Sequence, residues 1–109
     1  MVITTLCGST KFKKQFKEVE AALTFKGHIV LSLGFFEHSE GIILSSNKLK
    51  MLEMMHYQKI ELSDEIYVID IEGYIGSSTQ KEIQYAKDTG KMIRYHSEWK
   101  EELLAELPW

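Results

Sequence analysis

The chain has 109 residues, 44% of them apolar, and a formal net charge of −3. That length fits one domain spanning residues 1–109, with enough core to fold unaided, and the acidic balance argues against a nucleic-acid footprint. One cysteine excludes an internal disulfide, and no apolar run approaches the roughly 20 residues that span a bilayer.

The N-terminus runs straight into a β-branched apolar run, Val2–Cys7. This reads as a first strand and not as a signal peptide, so a cytoplasmic protein is expected. Cys7, inside that run, reads as a buried and inert thiol. Gly8, Ser9 and Thr10 follow as turn and N-cap residues for a helix. Phe12, Phe16, Val19 and Leu23 recur at spacings of four, three and four, which gives the helix one apolar face. Lys11, Lys13, Lys14 and Lys17 are followed by Glu18 and Glu20, the pattern of a solvated face. Gly27 stops the helix, and Ile29–Leu33 reads as a second strand.

Gly34–Ser46 reads as a long loop leaving the ligand-facing end of the sheet. Asn47 is the candidate N-cap of a helix reaching Leu62. Met51, Met54 and Met55 on it read as core or dimer-contact filler, which predicts a homodimer or larger homo-oligomer. A third strand, Ile66–Ile71, carries Asp70 near its carboxyl end. Gly73–Ala86 then turns into a helix over about Thr79–Thr89, stopped by Gly90. Met92–Tyr95 reads as a fourth strand and Trp99–Leu107 as a closing helix.

Strands alternating with helices predict an α/β fold: a three-layer, doubly wound Rossmann- or flavodoxin-like parallel sheet of about four strands. Ligands of such sheets bind outside the carboxyl ends of the strands, where the strand order reverses. Gly8-Ser9-Thr10 and Gly73–Thr79 should meet there, with N–H groups free to hold an oxygen-rich ligand. Glu82 has two readings. Thr79-x-x-Glu82 is a capping-box spacing, and a carboxylate beside a donor-rich turn is also a reactive group. The histidines His28, His38, His56 and His96 show no ligand spacing such as i, i+4, so neither a metal site nor a cofactor is expected.

Cys-Gly-Ser-Thr at residues 7–10, with Gly-x-x-x-x-Ser-Thr-x-x-Glu-Ile-x-Tyr-Ala from Gly73 to Ala86, resembles the nucleoside 2-deoxyribosyltransferase superfamily. That superfamily includes 2′-deoxynucleoside 5′-phosphate N-hydrolases, and the likeness runs from Ile3 to about Tyr95. It implies cleavage of the N-glycosidic bond of a nucleoside or nucleotide, with hydrolysis ahead of deoxyribosyl transfer. It also implies that Glu82 is the attacking carboxylate. Gly8, Ser9 and Thr10 match the family's first ligand loop. Ser78 matches the position that holds a 5′-phosphate. Two positions depart from the transferase pattern: Gly76 and His56 stand where transferases carry aspartates, on the substrate side of the site. Asp70 is the other carboxylate expected there. The alternative is a nucleotide-binding module that kept the fold without the chemistry.

Overall fold

The computed structural model describes residues 1–105 and 107–109. Four strands form one parallel sheet: β1 (Ile3–Gly8), β2 (Ile29–Leu31), β3 (Glu65–Ile69) and β4 (Met92–Tyr95). Among the described residues five α-helices accompany them, α1 (Lys13–Phe25), α2 (Glu37–Glu40), α3 (Ser46–Leu62), α4 (Ser77–Asp88) and α5 (His96–Leu104), with one 3-10 turn at Ile71–Gly73. The sheet order is β2-β1-β3-β4, the doubly wound flavodoxin-like arrangement. No described helix is long and apolar enough to cross a membrane.

Strand pleating assigns the core. Leu6, Tyr67 and Ile69 point to one face and pack with Phe16, Val19, Ala22 and Leu23 of α1 and Leu103 of α5. Cys7, Ile66 and Val68 point to the other face and pack with Ile60 of α3 and Ile83 and Ala86 of α4. Every residue of β3 is buried, as a central strand covered on both faces requires.

The α1 face is the one the periodicity predicts, although the helix begins at Lys13 with Phe12 as its N-cap, beyond the Gly8–Thr10 turn. β2 ends at Leu31, two residues early, and β3 ends at Ile69, not Ile71. Both strands stop where pairing with β1 stops. α3 is capped by Ser45, not Asn47: the Ser45 hydroxyl accepts from the Lys48 N–H at 3.2 Å. The expected 34–46 loop contains α2, closed by Gly41 at φ +67°.

α5 starts at His96, three residues earlier than the sequence pattern suggests, and ends at Leu104. The expected end at Leu107 passes through Glu106, which lies outside the described residues. The early start has a local cause. Asp70, across from it, accepts hydrogen bonds from the Ser97 N–H at 2.8 Å and the Ser97 hydroxyl at 2.6 Å. A carboxylate on the first-turn N–H groups satisfies an orphan donor and complements the helix dipole.

Candidate active site

The chain leaves β1 for β2 on one side and returns to β3 on the other, so the strand order reverses at the carboxyl ends of β1 and β3. Gly8 and Ile69 are the last register pair there. A Cβ on Gly8 would stand 3.2 Å from the Ile69 carbonyl oxygen, the Ile69 Cβ and the Phe16 ring, so only glycine lets the strands and α1 approach this closely. The two outgoing loops touch each other. The Phe12 and Tyr74 rings pack edge to face at 5.9 Å, and the Lys11 ammonium lies 3.6 Å from the Tyr74 ring centroid. Within the loop from β3 to α4, Glu72 holds φ +52°, the one non-glycine residue with positive φ among those described, and Gly73 follows at +79°. Strain of that kind persists where the surroundings dictate the loop's path.

Below these loops, three side chains from three elements converge. Cys7 comes from β1, His56 from α3 and Glu82 from the second turn of α4. His56 Nε2 lies 3.4 Å from Cys7 Sγ and 3.5 Å from Glu82 Oε1. All three donor atoms are within 4.8 Å of one another. Cys7 is fully buried, His56 is 5% exposed, and the Glu82 side chain keeps 12% exposure. Of the three, Glu82 therefore keeps the most contact with solvent.

Burial sets the electrostatics. Loss of hydration pushes the Glu82 carboxyl up to about 7; the Cys7 hydrogen bond opposes this and the Glu53 charge adds to it. Burial, with the Lys59 charge adding, takes His56 down to about 4. Burial and the adjacent Glu82 push the Cys7 thiol well up. At neutral pH the imidazole and thiol are uncharged and Glu82 is poised between its two forms, so the His56–Glu82 contact is not an ion pair. With hydrogen on Nε2, His56 and the Cys7 thiol both donate toward the ionised carboxylate. His56 Nδ1 is buried without a hydrogen-bond partner.

The capping-box reading of Glu82 is overturned. The N-cap of α4 is Gly76, with no side-chain cap bond, and Thr79 is the third helical residue and buried. Glu82 therefore sits too far along the helix to reach the N-cap, and it turns inward. His56 joins Glu82, as does Cys7, which sequence reasoning treated as inert filler. Asp70 does not join: its carboxylate is committed to Ser97. Thr10 is turned to α2, its hydroxyl 2.6 Å from His38 Nδ1 and its carbonyl accepting from the Ser39 hydroxyl. The Ser9 hydroxyl accepts from the Lys11 N–H. Because α1 starts at Lys13, the Gly8–Thr10 turn is not a helix N-terminus. Ser77 and Ser78 do form one, exposed in the first turn of α4 with Gly76 before them. Glu53 was also missed: it lies three residues before His56 on α3, a helical spacing that puts both on one face. Its carboxylate accepts from the Tyr57 hydroxyl at 3.4 Å.

Comparison with protein families matches residues 3–95 to the domain of unknown function DUF4406, so the chain belongs to that family. No curated protein matches it.

Proposed function

We propose that this DUF4406 member cleaves the N-glycosidic bond of a nucleoside or nucleotide, with Glu82 as the attacking carboxylate. The observation that carries the reading is the position of Glu82. It is no cap; it is a dehydrated carboxylate near the strand-order reversal, with 12% of its side chain still exposed. Losing water makes a carboxylate more reactive once ionised, because no hydration shell must be shed first. In the proposed step a Glu82 oxygen bonds to the anomeric carbon as the C–N bond breaks. The base departs with that electron pair and takes a proton from water. A second water then cleaves the glycosyl ester and regenerates Glu82. The exposed N–H groups of Ser77 and Ser78 suit a 5′-phosphate, since a helix N-terminus favours an anion. The resemblance to the nucleoside 2-deoxyribosyltransferase superfamily supports the same reading.

The test is release of free base from a panel of (deoxy)nucleosides and their monophosphates, across pH. Only the ionised carboxylate attacks. Release should therefore climb as Glu82 ionises near pH 7, by about tenfold between pH 6 and 8. A profile that is flat, or falls over that range, removes Glu82 as nucleophile.

A second reading, a nucleotide-binding module without turnover, rests on Asp70. With Asp70 held by Ser97 and glycine at position 76, Glu82 has no partner aspartate. A panel that yields no base, together with a thermal shift by a nucleoside monophosphate, would establish it.

The proposal includes self-association. α3 buries only His56 and Ile60 among its 17 residues. Met51, Met54 and Met55 line a shallow groove of about 440 Å³ on its outer side, and Met54 is 60% exposed. An apolar helix face of this kind is suited to a second copy. Light scattering at tens of micromolar should give at least a dimer mass, and Met54→Lys should lower it to the monomer. A monomeric wild type would defeat this part.

A further inference from the structure

The cluster of Cys7, His56 and Glu82 carries a second meaning that no short-range pattern in the sequence announces. We infer that these three side chains form a binding site for a thiophilic divalent cation such as Zn²⁺, with one coordination position left open. The inference stands apart from the base-release reading, since it needs only the geometry of the donors.

The donor set is one sulfur, one imidazole nitrogen and one carboxylate oxygen. Zn²⁺ accepts all three, and catalytic zinc sites use three protein ligands plus an open position. The spacing fits as well. In a tetrahedral sphere with Zn–S of roughly 2.3 Å and Zn–N of roughly 2.0 Å, neighbouring ligand atoms lie roughly 3.5 Å apart. Here Sγ to Nε2 is 3.4 Å and Nε2 to Oε1 is 3.5 Å, so two edges of the triangle already match a tetrahedral sphere, and the third, from Sγ to the carboxylate, lies within 4.8 Å. No partner at Nδ1 locks the imidazole in one tautomer, which leaves Nε2 able to present its lone pair. Each ligand comes from a different element, β1, α3 or α4, so the packing of the fold holds the triangle in place.

Charge favours the exchange. Binding displaces one proton from the Cys7 thiol and, below its ionisation, one from the Glu82 carboxyl. A divalent ion then faces a thiolate and a carboxylate, so the buried cluster gains no net charge. Of the three ligands Glu82 keeps the most exposure, 12% of its side chain, so the open position is left to water or another small ligand. An ion held by the three takes up the oxygen with which Glu82 would attack a sugar. Metal and glycosyl chemistry would thus be alternative uses of one carboxylate, and a thiophilic ion would silence the enzyme reversibly.

Cobalt(II) is the probe, because a tetrahedral cobalt–thiolate site is coloured. Titrating the reduced protein with Co²⁺ should give a sulfur-to-cobalt charge-transfer band in the near ultraviolet and intense visible bands. These should saturate at one ion per chain and be bleached by Zn²⁺. Glu82→Gln should weaken Co²⁺ binding at least about tenfold, and Cys7→Ser, checked for fold by circular dichroism, should lose the charge-transfer band. Absence of that band at millimolar Co²⁺ would overturn the site, as would a band that survives Cys7→Ser or an affinity unchanged in Glu82→Gln. All readouts are independent of base release, so failure of the enzyme reading leaves the metal result interpretable.

Discussion

Glu82→Gln should abolish base release and at the same time make the protein more stable at alkaline pH. The two effects share one cause. In the fold the Glu82 carboxyl ionises near 7, above the ordinary 4.5, chiefly because burial strips its water. A raised carboxyl pKa means that the fold prefers the neutral form. The preference contributes in full below about pH 4.5 and is lost as pH rises through 7. Above that, the ionised group costs the native state about 3 kcal/mol. Glutamine keeps the shape without the charge, so the variant should gain up to about 3 kcal/mol at pH 8 and little at pH 5. His56 works in the opposite direction. Its lowered value, near 4, contributes stability above about 6.5 that disappears as pH falls through 4. In the wild type the two limbs offset each other between roughly pH 4.5 and 6.5. In Glu82→Gln the histidine limb should stand alone, so stability should rise with pH across that window. Urea unfolding at pH 5, 6.5 and 8, beside the base-release assay, measures both. Equal stability of the two proteins at pH 8 would show that Glu82 is not desolvated as described. Full turnover in the variant would move the chemistry to another residue. A stability gain accompanied by a loss of turnover is the trade-off expected of an active-site group.

Glu65→Ala should destabilise the protein by about 3 kcal/mol and leave base release per folded molecule unchanged. Glu65 opens β3, at the amino end of the sheet and away from the Cys7–His56–Glu82 cluster. It is 4% exposed. Its carboxylate accepts from the Thr4 hydroxyl at 2.9 Å and from Arg94 Nε at 3.2 Å, with His28 Nδ1 at 3.8 Å. Arg94 is held from its other side by the Trp99 ring, 4.6 Å from the guanidinium carbon to the centroid. Removing the carboxylate takes the acceptor from Arg94, whose side chain is only 32% exposed, and leaves the buried Thr4 hydroxyl with His28 Nδ1, 3.0 Å away, as its remaining partner, which costs more than the pair contributes when intact. The melting temperature should fall on the order of 10 °C. Glu65→Gln, which still accepts one hydrogen bond, should fall in between. A loss below about 1 kcal/mol for the alanine variant would mean that water replaces the carboxylate there. The arginine partner is invisible in the sequence: Glu65 and Arg94 meet only because β3 and β4 pair with Tyr67 opposite Arg94.

Residue pattern by itself determined the class of fold. Apolar runs short enough for strands, separated by helical spacings and closed by Gly27 and Gly90, admit little besides a layered parallel sheet. The same logic brought the loops after β1 and β3 together, because in a parallel sheet both leave from the carboxyl ends of their strands. It could not decide the role of Glu82. Thr79-x-x-Glu82 satisfies a capping box on paper, and only the start of α4 at Ser77 removed that reading. A shift of two residues at a helix start lies beyond what local propensity resolves, since capping and propagation compete within about a kcal/mol. Asp70 failed for a tertiary reason: Ser97 arrives from α5 to claim a carboxylate that the strand pattern only placed nearby. Cys7, His56 and Glu82 are the clearest case. They are separated by 49 and 26 positions in the chain, so no local spacing links them. They meet because the β1 pleat turns Cys7 toward α3 and α4 while Leu6 turns away, and because α3 and α4 pack side by side on that face. Burial then moved their proton affinities, a consequence of lost hydration that no sequence window contains.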